Sequence, residues 1–61
     1  MKIDKIDIEE QGRIVAEGMH RYGSAFEKKL AELIELSTIK NLVMIRTGFA
    51  KYWNKYIKWE K

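Results

Sequence analysis

Apolar residues in the last third of the chain recur at helical spacing. Plotted at about 100° per residue, Leu42, Ile45, Phe49, Tyr52, Trp53, Tyr56 and Trp59 fall on one side of a helix. Lys40, Thr47, Lys51, Asn54, Lys55 and Lys58 fall on the other. Ile39, Val43, Ala50 and Ile57 widen the apolar arc to roughly 200°, about twice the stripe of an ordinary surface helix. An arc that broad exceeds what one neighbouring helix covers. The pattern therefore predicts a cover from elsewhere: a second copy of the chain, a partner, a membrane or a ligand.

The earlier segments keep the same period and carry clear punctuation. Asp7-Ile-Glu-Glu10 reads as a capping box, in which Asp7 accepts from first-turn amides and Glu10 reaches back. A first helix is expected over residues 8–22, with Ile8, Val15 and Tyr22 in line and Gln11, Gly12, Gly18 and Met19 between them. Two glycines inside one helix cost about 1 kcal/mol each relative to alanine. Either another backbone or a ligand approaches closely there, or the helix frays. Gly23 is expected in the left-handed conformation that ends this helix. Ser24 then caps a second helix over residues 25–36, with Glu27 completing another capping box. Phe26, Leu30, Leu33, Ile34 and Ser37 follow its inner spacing, and Lys28 and Glu32 form an (i, i+4) pair on its outer side. Ser37 or Thr38 caps a third helix over residues 38–60. Thr47-Gly48 is its weak point, where it either breaks or runs through. Residues 1–7 form a lead-in in which Ile3 or Ile6 is expected to pack as a staple, since their spacing of three does not suit a strand; the alternative is a strand pairing with another chain. The expected fold class is all-α, a single small three-helix domain, or four helices if the break forms, completed by homo-oligomerisation.

Size supports that last clause. A chain of 61 residues buries only about 60% of its unfolded surface and is marginal alone. Disulfides, metals or association are the usual supports. The sequence has no cysteine and one histidine, so disulfides and thiolate metal sites are excluded, a structural zinc site is not expected, and association remains. No signal-peptide core and no membrane-spanning run is visible. Charge divides the chain. Residues 1–37 carry six Lys/Arg against eight Asp/Glu, and residues 38–61 carry six against Glu60 alone. The basic end predicts either an anionic partner or pairing with the acidic end of another subunit.

Little in the sequence points to catalysis. His20 stands near a helix end, where the dipole favours it. Ser24 and Ser37 are placed as caps. Glu9, Glu10, Glu17, Glu32 and Glu35 occupy mostly solvent-facing positions. Gly12 and Gly18 are too far apart for a phosphate loop. No enzyme, no cofactor and no metal site are expected. Arg46 falls inside the apolar arc. A buried guanidinium needs a partner, so it is expected to pair with Glu17 or Glu60, stack on Trp53, or meet an anionic ligand.

Tyr22-Gly23-Ser24-Ala25-Phe26, Asn41-Leu42, Ile45-Arg46, Phe49, Tyr52-Trp53 and Tyr56 together resemble a group of short, mostly uncharacterised helical bacteriophage proteins. The resemblance spans about residues 18–57. In that group the residue after the phenylalanine is usually proline; here it is Ala50, which allows a continuous helix. The resemblance implies a phage origin, a cytoplasmic location in an infected bacterial host, and action by binding, often to disable a host system.

The functional expectation combines these strands. A phage-type homo-oligomer evades host defence by enclosing an anionic, nucleotide-like ligand in pockets between subunits. Tyr22, Arg46, Trp53 and Tyr56 are the expected ligand contacts, with Lys51 and Lys55 supplying field. Val15, Met19, Phe26, Phe49, Tyr52 and Trp59 are the expected subunit interface. One alternative is an inhibitor whose aromatic face docks in a groove of a host enzyme. Another is nucleic-acid binding through Lys40, Lys51, Lys55, Lys58 and Lys61, and a membrane-surface helix ranks last.

Overall fold

The computed structural model describes residues 7–59. Four helices follow in order: α1 (Ile8–Tyr22), α2 (Ala25–Leu36), α3 (Ile39–Gly48) and α4 (Ala50–Ile57). The lead-in with Ile3 and Ile6, and the expected extension of the last helix to residue 60, lie outside the described residues.

Local capping explains the first boundaries. The Asp7 carboxylate accepts from the Glu10 N–H at 3.0 Å, while the Glu10 carboxylate turns to the Arg13 guanidinium. Ser24 and Glu27 form a reciprocal capping box: Glu27 N–H donates to Ser24 Oγ at 3.3 Å, and Ser24 N–H to Glu27 Oε1 at 2.9 Å. Two capped donors and an acid in the first turn fix where α2 begins. Gly23 is not left-handed, as the sequence suggested, but extended (φ −83°, ψ 162°). What the turn requires is the missing side chain. A Cβ on Gly23 would stand 2.5 Å from the Met19 carbonyl oxygen and 2.8 Å from Glu27 Cβ. On α2 the ion pair is Lys29–Glu32 at 3.7 Å, one residue from the expected Lys28.

The long third helix divides into α3 and α4. Thr38 caps α3 by accepting from the Asn41 N–H, and Ser37 Oγ donates back to the Leu33 carbonyl. The break falls at Phe49 (φ −119°, ψ 41°), one residue beyond Gly48. No proline or side-chain cap enforces it. Phe49 N–H still donates to the Ile45 carbonyl and Trp53 N–H to the Phe49 carbonyl, so the bend interrupts the helix without abandoning its ladder.

α1 is the hub, packing against α2, α3 and α4. It buries Gln11, Gly12, Ile14, Val15, Ala16, Gly18 and Met19, a face broad enough to serve several neighbours. Around it close Leu30, Ala31 and Ile34 of α2, Leu42 and Ile45 of α3, and Trp53, Tyr56 and Ile57 of α4. Glycines at two α1 positions allow close approach. A Cβ on Gly12 would lie 3.3 Å from both Ile34 and Leu42 side chains, and one on Gly18 would lie 2.5 Å from the Trp59 ring.

The aromatic arc needs less foreign cover than the sequence suggested. The stripe from Leu42 to Trp59 faces inward and α1 of the same chain covers most of it, with Phe49, Tyr52 and Trp59 half-buried, while Ile39 and Val43, which widen the arc, stay exposed. The bend at Phe49 is the reason. It swings α4 relative to α3, so the arc is shared between two short helices that both reach α1. Val15 and Met19 are sealed in that core and offer no surface to a second subunit.

Candidate functional site

Three polar anchors fasten the aromatic residues of the C-terminal segment to α1 and α2. Trp53 Nε1 donates to Gln11 Oε1 at 3.3 Å. Tyr56 Oη donates to Glu27 Oε1 at 2.9 Å. Trp59 Nε1 donates to the Ile14 carbonyl at 2.7 Å. A buried indole or phenol needs such a partner, and among the described residues no buried side-chain polar atom lacks one. Gly18 makes the third anchor possible. The Trp59 ring lies where a Gly18 side chain would project, and so reaches the carbonyl one turn earlier. Tyr22 meets the Trp59 ring edge-on at 5.8 Å, and the Arg21 guanidinium lies 5.2 Å from its centroid.

The electrostatics of Glu27 follow from its contacts. The Ser24 backbone N–H holds its carboxyl below the usual carboxylate range, against the opposing effect of burial, with Tyr56 and Lys55 assisting. Burial first, and then the facing carboxylate, raises the Tyr56 hydroxyl above the ordinary tyrosine range. Both shifts keep Glu27 ionised and Tyr56 protonated, the state in which the hydrogen bond between them is strongest.

The six expected ligand contacts are therefore not one site. Trp53 and Tyr56 are 2% and 3% exposed and are spent inside the fold. Tyr22 is exposed but belongs to the Trp59 cluster. Arg46, Lys51 and Lys55 are exposed on α3 and α4. Arg46 is not buried in the arc. Its Nη1 donates to Gln11 Oε1 at 3.4 Å, a neutral amide rather than the expected carboxylate of Glu17, and Glu60 lies outside the described residues. Lys55 sits 3.9 Å from Glu27 and over the Tyr56 ring. Of the expected interface residues, Phe26 is 53% exposed but leans on Phe49 and Tyr52 in a ring cluster. Phe49, Tyr52 and Trp59 are half-buried against the core.

An open groove of about 560 Å³ runs beside α1 over a floor of Gly12, Ile34 and Leu42. None of the expected ligand contacts lines it. On its charged rim Arg13 pairs with Glu10 and Glu17, Arg21 with Glu17, and His20 with Glu35 at 3.2 Å, and Glu9 adds a further carboxylate. Such a rim gives no net pull on an anion. Among the described residues there is no group of side chains that could hold a metal ion, and no helix long and apolar enough to cross a membrane.

Sequence reasoning missed Gln11 and Glu27 as internal anchors. The signal was available in the indole N–H and phenol O–H, which demand acceptors once buried. Comparisons with protein-family models, curated proteins and solved structures find no match for this chain.

Proposed function

We propose that the protein is a non-enzymatic, homo-oligomeric binder of a phosphate-bearing anion, of the kind phages use against host defences. The observation that carries this reading is the charge of α3 and α4. From residue 38 to residue 59 the chain has no carboxylate, while Lys40, Arg46, Lys51, Lys55 and Lys58 are all exposed. Of these five cations, Lys55 alone pairs with a described acidic side chain. A one-sided run of this sort attracts polyanions, and its pull weakens with salt. Trp53 and Tyr56 are engaged internally. A nucleotide-type ligand would be held by its phosphates. The resemblance to short phage proteins supports the biological setting. The paired, exposed carboxylates and His20 support a role without catalysis.

Calorimetric titration with a cyclic dinucleotide, ATP and a short single-stranded oligonucleotide tests the reading. At least one should bind at about 50 mM salt and bind more weakly at about 200 mM. The double variant Lys51→Glu/Lys58→Glu should abolish that binding. Absence of heat with all three anions at the lower salt removes the proposal.

A further inference from the structure

α3 is apolar on both sides. Leu42 and Ile45 face the core, whereas Ile39, Val43 and Met44 are 52%, 41% and 64% exposed. Across the Ser37–Thr38 corner, Leu33 and Leu36 of α2 are 51% and 84% exposed. Exposed aliphatic side chains gathered at one corner mark a contact surface, here interleaved with the exposed polar residues Lys40, Asn41, Arg46 and Thr47 of α3. These five aliphatic side chains carry no polar atom and make no use of water, unlike the anchored aromatic residues on the α1 side.

Three of the charges beside them are set against their own helices. The C-terminal half of α2 holds Glu32 and Glu35, and its last turn has no basic residue. The first turn of α3 holds Lys40 and no acid, while Arg46 stands in its last turn, where the dipole favours a cation. Acids near a helix C-terminus and a base near an N-terminus oppose the helix dipole. The local partners of the two acids, Lys29 and His20, leave them 55% and 54% exposed. One corner thus presents a negative edge on α2 and a positive edge on α3, flanking an aliphatic strip. A surface carrying both signs on either side of an apolar centre is self-complementary under a twofold axis.

We propose that this α2–α3 corner is covered by the same corner of a second copy of the chain, with Glu32 and Glu35 of each copy facing Lys40 and Arg46 of the other. The pairing deepens the assembly part of the function proposed above and rests on that part alone; anion binding is measured separately. It also assigns the subunit contact to residues other than those expected from the sequence, of which Val15 and Met19 are enclosed in the core.

Mass in solution, by sedimentation equilibrium, tests the pairing in three steps. The wild-type chain should be an even-numbered assembly. Leu36→Glu/Val43→Glu should weaken dimerisation by about 100-fold or more while circular dichroism stays helical, since both side chains are exposed. Two charge-reversed chains then probe orientation. Glu32→Lys/Glu35→Lys makes both edges positive, and Lys40→Glu/Arg46→Glu makes both negative. Each alone should be monomeric, and their equimolar mixture should dimerise. A monomeric wild type, an assembly indifferent to Leu36→Glu/Val43→Glu, or a mixture that stays monomeric overturns the pairing. An assembly that persists in the variants leaves oligomerisation standing through another surface, and a foreign protein held by a monomer through this strip assigns the strip elsewhere.

Discussion

The two sides of this small fold treat apolar residues in opposite ways. On the α1–α4 side, Trp53, Tyr56 and Trp59 are tied down by one polar bond each, to Gln11, Glu27 and the Ile14 carbonyl. On the α2–α3 side, Leu33, Leu36, Ile39, Val43 and Met44 stand in solvent with nothing to hold them. Aromatic residues with a polar tip are useful where orientation must be fixed. Aliphatic residues without one add stickiness and leave orientation to the charges around them. The contrast teaches that the ring-rich face, conspicuous in sequence, is the internal one, and that the plainer aliphatic face is the one turned outward.

The sharpest way to break that contrast is Trp53→Ala. Truncating a sealed aromatic costs about 3–5 kcal/mol, comparable to the whole stability of about 3–9 kcal/mol expected at this length. The variant should be largely unfolded by circular dichroism at room temperature. Met44→Ala, on the open side, should change stability by no more than about 0.5 kcal/mol. Equal losses at the two positions would erase the distinction.

Gly18→Ala comes next. The added Cβ would stand 2.5 Å from the Trp59 ring, so the indole must leave the Ile14 carbonyl. A loss of about 1–3 kcal/mol is expected, or roughly 5–20 °C in Tm for a domain of this size. An unchanged melting temperature would mean that Trp59 contributes nothing where it lies.

Tyr56→Phe should cost about 1–2 kcal/mol at neutral pH, because it removes a bond to an ionised acceptor. The Glu27 carboxyl is depressed in the folded state. Its contribution is therefore present above the ordinary unfolded carboxylate value, about 4.3, and is lost as pH falls through the lower folded value. The gap between wild type and Tyr56→Phe should narrow over that acidic range in urea melts, and a gap constant with pH would deny the charged character of the bond. The smallest effect is a gain. Nothing lies within 4 Å of a Cβ placed on Gly48, and the residue is helical, so Gly48→Ala should stabilise by about 0.5–1 kcal/mol.

How much of this was legible depended on whether the cause was local. Asp7, Ser24 and Glu27 act within one turn of themselves, and the first two helices start and stop where those residues imply. The Phe49 bend was marked only weakly. Thr47-Gly48, the weak point in the sequence, lies just before it, but those residues left open whether the helix breaks or runs through. The packing of Trp53 against α1 and of Tyr56 against Glu27 of α2 is a tertiary matter. Ile39 and Val43 widened the arc and Arg46 fell between them and Leu42; Ile39, Val43 and Arg46 are all exposed on α3. Gly23 was recognised as a turn residue for the wrong reason, since crowding by Met19 and Glu27 rather than backbone handedness excludes a side chain there. Of the candidate anion contacts, Arg46, Lys51, Lys55 and Tyr22 are exposed, whereas Trp53 and Tyr56 are buried, because an indole and a phenol with acceptors at hand pack inward.

The unequal placement of the two indoles gives the molecule an optical label of its own. Trp53 is shut away from dissolved quenchers, while Trp59 stays half open beside the Arg21 cation. Iodide, drawn by that cation, should extinguish one emitter and spare the other, so the shielded fraction of the emission reports directly on whether the chain's end remains docked.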